Sequence, residues 1–169
     1  MAGVTADIGL NISASLVGTG DLGNPRLQIA PVREALQLLP GTLTVGQADI
    51  MFADTRTLAA SATENLDLTG TLINAFGATI NAAEIVMIYI KAAKANVNSI
   101  IVGNVANGFV GPLGATGQYT IKPGEYYLAV SASGWGVTAA TADLLKILNG
   151  GAGTAVSYDV VIIGRTVAA

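Results

Sequence analysis

The chain is 169 residues long, enough for one domain of ordinary size, and carries eight basic and eleven acidic side chains for a net charge of −3, with neither histidine nor cysteine. That composition removes the usual general base near neutrality, the thiolate nucleophile and the soft or borderline metal ligands. Four lysines and four arginines, dispersed along the sequence, form no patch that would neutralise phosphates, so nucleic acid is excluded as a partner.

Hydrophobic residues make up 51% of the chain and 21 glycines come on top of them, against about 45–50% for the two classes together in soluble domains. A compact monomer of 17.0 kDa exposes roughly 7,700 Å², about one charge per 400 Å² here. Such a surface is either dressed in Ser, Thr, Asn and Ala or buried against other chains. The mean hydropathy of +0.58 does not imply a membrane span, because the strongly apolar run 85–90 is bounded by Glu84 and Lys91 and is far too short to cross a bilayer. Residues 1–10 hold no basic segment and meet Asp7 early, so no secretory signal is expected and synthesis in a cytosol is.

In chain order, residues 5–17 alternate, with Ile8, Leu10, Ile12 and Leu16 on one face and Asp7, Asn11, Ser13 and Ser15 on the other, as in a half-buried strand. Residues 18–25 form a loop by composition, which leaves that strand without an adjacent hairpin partner. It is expected either to open its own sandwich or to pair with a neighbouring subunit through Ile8, Leu10, Ile12 and Leu16. Within 31–39, Val32, Ala35, Leu36 and Leu39 fall at helical spacing between Pro31 and Pro40-Gly41, which predicts a short helix. Leu27, Ile29, Leu43 and Val45 beside it read as strands.

From residue 48 onward the β pattern is more regular. Ile50 and Phe52 precede Leu66 and Leu68, which share one face, and 85–92 is apolar enough for a strand covered on both sides. Asn96 and Asn98 mark a turn before 99–102, and 103–117, with five glycines, is the longest irregular stretch and the expected exposed loop. Residues 119–121 and 126–131 around Lys122-Pro123-Gly124 read as a hairpin, and 143–148 and 156–163 around 149–153 as a second, with 160–163 central to the sheet. Eight to ten strands with at most one short helix predict an all-β sandwich or jelly roll over 48–169, preceded by an arm or strand region, 1–47, that forms an interface.

The motifs are structural. Gly18-Thr19-Gly20 and the glycine-rich run 149–153 lack the strand–helix context and the lysine of phosphate-binding loops and read as flexible turns. Asp54/Glu64 and Asp143/Asp159 are the pairs a glycosidase would need, yet both fit turns and strand ends better. No D-x-D-x-D loop offers calcium its oxygen ligands. Trp135, in Ser133-Gly134-Trp135-Gly136, reads as part of an exposed turn, either as a contact aromatic that could stack on a sugar or as a ring folded over the end of the sandwich. No catalytic residue, cofactor or metal site is therefore expected.

The succession Asp54-Thr55-Arg56-Thr57-Leu58-Ala59-Ala60-Ser61, Glu64-Asn65-Leu66-Asp67-Leu68, Asn74-Ala75-Phe76-Gly77, Ile88-Tyr89-Ile90, Lys122-Pro123-Gly124, Ala142-Asp143-Leu144-Leu145-Lys146 and Tyr158-Asp159-Val160-Val161-Ile162-Ile163-Gly164 resembles small virion proteins of tailed double-stranded DNA bacteriophages, over residues 48–164. The resemblance implies a capsid decoration or head-fibre subunit: a trimeric β-sandwich, made in the host cytoplasm, seated on the shell against the major capsid protein. The expected function is a non-enzymatic cement protein, and the alternative a fibre or adhesin subunit that binds a host surface glycan.

Overall fold

The computed structural model describes residues 3–42 and 44–167, so Leu43 lies outside it. It is all-β, with thirteen strands and no helix among the described residues. An N-terminal group comprises β1 (Ala6–Ile12), β2 (Ser15–Val17), β3 (Arg26–Gln28), β4 (Val32–Pro40) and β5 (Gln47–Ala48). The remainder are β6 (Ile50–Leu58), β7 (Thr63–Asp67), β8 (Glu84–Ala92), β9 (Ile100–Gly103), β10 (Gln118–Ile121), β11 (Tyr126–Gly136), β12 (Leu144–Asn149) and β13 (Val156–Arg165).

Strands β6 to β13 build two four-stranded antiparallel sheets, ordered β11-β8-β13-β6 and β10-β9-β12-β7. Apart from β9 and β10, strands consecutive in sequence lie in opposite sheets, and β6 pairs with β13 across the length of the domain. This is jelly-roll order. Between the sheets lies a continuous core that includes Phe52, Leu66, Leu68, Ile88, Ile90, Ile100, Val102, Ile121, Ile147, Val160 and Ile162.

Both expected hairpins are corrected by this topology. The chain does reverse at 122–125, where Glu125 N–H donates to Lys122 C=O at 2.9 Å and Gly124 has φ +81°, as a proline-then-glycine turn requires. It then crosses the core, so β10 pairs with β9 and β11 with β8. Likewise β12 and β13 sit in different sheets. Turn chemistry specifies a reversal, but it is the same whether the next strand returns beside the last or opposite it.

The expected helix over 31–39 is strand β4. Val32, Leu36 and Leu38 fall at even positions, a strand period interrupted only by Glu34, and seven antiparallel pairs from Ala6↔Leu38 to Ile12↔Val32 decide for it over the helical spacing of 32, 35, 36 and 39. The strand expected over 5–17 is two strands, β1 and β2, and its partners are in its own chain: β4 for β1 and β3 for β2. The irregular run 103–117 is also less exposed than expected, because Phe109 is buried in the core and Leu113 packs against it.

The three-stranded sheet β1-β4-β5 lies on the outer face of the β11-β8-β13-β6 sheet. A second apolar cluster joins them: Leu38 and Ala48 from the N-terminal sheet meet Val86, Met87 and Ile163, with Val4, Ala6, Ile8 and Leu36 around them. Strand β8 is thus covered on both sides. Ile85, Ile88 and Ile90 enter the sandwich core while Val86 and Met87 enter the second cluster.

Candidate functional site

Strands β1 to β4 form one long two-stranded ribbon. Its pairing runs from Ala6↔Leu38 to Ile12↔Val32, then resumes one residue out of step from Ser15↔Gln28 to Val17↔Arg26. The irregularity is held by Ile29 N–H donating to Ala14 C=O at 3.1 Å, and the tip is closed by Gly18 N–H donating to Pro25 C=O at 2.8 Å. The base of the ribbon, around Ala6, Ile8, Leu36 and Leu38, is anchored on the sandwich. The distal part packs on nothing: all six residues of β2 and β3 are exposed, Leu16 at 70% and Leu27 at 65%, and Leu22 in the turn between them is at 105%.

Beside the ribbon base runs a cleft of about 840 Å³. One wall is Ile8, Leu10, Glu34 and Leu36 from the ribbon, and the other is Tyr126, Leu128 and Val130 from β11. β11 is the edge strand of its sheet, so its outward side chains lack a neighbour beyond them, and Tyr126 remains 60% exposed. Two ring contacts stiffen this wall: Tyr126 with Tyr89, centroids 5.9 Å apart, and Tyr119 with Tyr127 at 5.1 Å. Burial and the neighbouring Tyr119 raise the pKa of the Tyr127 hydroxyl, which therefore stays neutral. The protein's exposed surface, 9295 Å², exceeds the roughly 7,700 Å² of a compact chain of this mass by about a fifth.

The four side chains assigned to an interface from sequence all lie on the ribbon. Ile8 and Leu10 line the cleft, Ile12 is exposed just beyond it, and Leu16 is on the tip. Trp135 is placed differently from the exposed turn expected of it. It belongs to β11, opposite Ile85 beyond a register shift, and packs half-buried against the core. The exposed rings are instead Tyr126, Tyr119 and, in the turn after Asn74, Phe76. Nothing in the sequence marks them, since exposure of an aromatic depends on which strand becomes an edge.

Of the acid pairs, Asp143 and Asp159 are not brought into contact. Asp143 accepts from Thr69 Oγ1 at 2.7 Å and from Ala140 N–H at 2.6 Å, and Asp159 accepts from Thr55 Oγ1 at 2.7 Å. Asp54 and Glu64 are joined through Arg56, which binds Asp54 at 2.9 Å and also bridges to Glu64. The buried Tyr158 donates to Glu64 Oε2 at 2.9 Å. Burial and that carboxylate push the tyrosine's pKa well up, and the hydrogen bond to Glu64 raises that of Arg56. The group clasps β6, β7 and β13 together where the two sheets end.

A second ionic group escaped the sequence reading. Arg165, fully buried, donates from Nε and Nη2 to Glu84 Oε2 at 2.9 and 2.5 Å, from Nη1 to the carbonyls of Gln47 and Ala132 at 3.2 Å each, and from Nη2 to Ser133 C=O at 2.8 Å. Its signal was the charge at each end of an apolar run, Glu84 opening β8 and Arg165 closing β13, which antiparallel pairing brings face to face. Among the described residues, no three carboxylates gather into a metal-binding group. Comparison with protein-family models, with curated proteins and with solved structures yields no match.

Proposed function

We propose that this chain is a non-enzymatic structural subunit of a tailed-phage virion, a capsid decoration or cement protein that binds the outer shell as a homotrimer and reinforces it. The observation that carries the reading is the ribbon tip. A segment that leaves a jelly roll with leucines on its exposed strands has no use in a solitary soluble protein, where such surface promotes aggregation. It suits a subunit that meets neighbours. Contacts made only in the assembled shell stabilise that shell by their binding free energy, which is the mechanism of reinforcement. The sparse charge supports the same reading, as does the absence of cysteine, since a subunit made in many copies then folds without disulfides.

Virions carrying a tagged copy, imaged in negative stain, are expected to show the tag over the head, and particles stripped of the subunit to lose resistance to heat or osmotic shock. A tag on the tail, with stripped particles that melt normally but fail to adsorb, moves the function to a glycan-binding fibre. That second reading would draw on the exposed rings of Tyr119 and Tyr126, since Trp135 is packed against the core. Virions without any tag overturn both.

A further inference from the structure

The ribbon tip and the cleft are both apolar, both unfilled and both on one chain. We infer that the cleft between the ribbon base and β11 receives the ribbon tip of a second copy of this chain, so that each subunit grips the next.

Three observations carry this. The first is stability: a two-stranded ribbon is marginal in water unless a further strand or layer covers it, and β2 and β3 pack on no such layer. The second is reach. Leu16 lies eight residues beyond Ile8, roughly 25 Å along an extended strand, so a tip held out by its own ribbon cannot fold back into the cleft at that ribbon's base. The occupant must come from another molecule.

The third is area. Ile12, Leu16, Val17, Leu22, Leu27, Ile29 and Val32 are each between 42% and 105% exposed. Together they present on the order of 700 Å², near the roughly 800 Å² one partner contributes to a stable interface of standard size. In a closed ring every chain gives one tip and receives one. Closed rings of identical subunits satisfy every tip and every cleft, whereas an unrelated partner would fill one and leave the other open. Glu34 is the only charged residue in the cleft wall, and the tip carries one acid and one base, Asp21 in its turn and Arg26 on β3, so its net charge neither opposes nor drives the fit.

The chain has no cysteine, so a disulfide trap reads without background. Full-length Leu16→Cys, carrying one affinity tag, is mixed with full-length Leu128→Cys carrying another, and the mixture is oxidised. The expected product is a covalent species with both tags, at least tenfold more abundant than when Leu128→Cys is replaced by Ala60→Cys in the exposed turn between β6 and β7. Equal cross-linking with both partners overturns the inference, as does none with either. In parallel, Leu16→Asp with Leu27→Asp should leave the β-sheet circular dichroism intact, because neither residue is buried, and weaken assembly at least a hundredfold in concentration. A doubly charged variant that assembles like the parent also overturns it. Neither result depends on whether the assembly sits on a phage head, so failure here leaves the virion reading to its own test.

Discussion

The guanidinium of Arg165 uses all five of its N–H groups within the fold, on one carboxylate and three carbonyls drawn from β5, β8 and β11. It is the point where the N-terminal sheet, the sandwich and the β11 irregularity meet. Removing its partner leaves a buried charge uncompensated, so Glu84→Ala should destabilise the chain by about 3–5 kcal/mol in denaturant unfolding; a loss below about 1 kcal/mol would show the pair to be incidental. Gly134 matters for the same group. It has φ +80°, and a Cβ there would stand 2.7 Å from Arg165 Nη2. Gly134→Ala therefore meets both backbone strain and a steric clash, and a loss of about 1–3 kcal/mol is expected from the same unfolding curves.

Tyr158 sets the alkaline limit of the fold. Its pKa is raised by burial first and by the Glu64 carboxylate second, so the folded state holds the phenolic proton more tightly than the unfolded chain does. The stability it supplies is complete below the unfolded tyrosine value near 10 and falls as pH rises above it. Tyr158→Phe should cost about 1–3 kcal/mol at neutral pH through the lost charge-assisted hydrogen bond, and should make the decline above pH ~10 shallower. Parallel pH-dependent unfolding of the two proteins checks this, and an equal alkaline slope in both would point to another tyrosine or a lysine.

Among the elements, those of the sandwich were legible in the sequence and the ribbon was only half so. Two apolar runs at 85–92 and 160–163 signalled central strands because both faces of β8 and β13 are covered, and continuous apolarity is what double coverage demands. The partners of those strands were not legible. Lys122-Pro123-Gly124 and the glycines at 149–153 specify where the chain turns, but the choice between sheets is made by core packing hundreds of atoms away. The ribbon was obscured differently: Val32 and Leu36 fit two periods, continued by Leu38 in a strand and by Leu39 in a helix, and only the register with Ile8 and Ala6 separates them. The sequence did mark Ile8, Leu10, Ile12 and Leu16 as one apolar face. It carried no sign of the other wall of the cleft, since Tyr126, Leu128 and Val130 are remarkable only because β11 lies at a sheet edge.

The ribbon has two parts with different consequences. Leu38, at its base, is fully buried against Val86, Met87 and Ile163, so Leu38→Ala should cost about 2–5 kcal/mol. The tip is outside any core. Replacing residues 14–30 by a short Asn-Gly turn should leave the melting temperature of the sandwich within a few degrees while removing assembly, and a tip-deleted chain that unfolds far earlier would make the tip part of the fold. Removing residues 1–17 is a poorer test, because it also strips β1 from the surface that Met87 and Ile163 need covered.

At the scale of the whole molecule, a charge-poor jelly roll carries a lever and a receptacle of the same apolar character on neighbouring parts of one face. Packing explains the sandwich, but it does not explain leucines at the end of a ribbon that touches nothing. Association explains both the ribbon and the open cleft, and it supplies the linked stabilisation that a shell-binding subunit would deliver to its particle.

The direct measurement is the molar mass of the full-length chain by light scattering at micromolar concentration, beside the chain whose tip is replaced by a turn. The full-length protein should scatter as a closed multiple of 17.0 kDa, three being the number expected, and the trimmed protein as 17.0 kDa. A full-length chain that stays at 17.0 kDa throughout that range, or a trimmed one that assembles just as well, would contradict the role assigned to the ribbon.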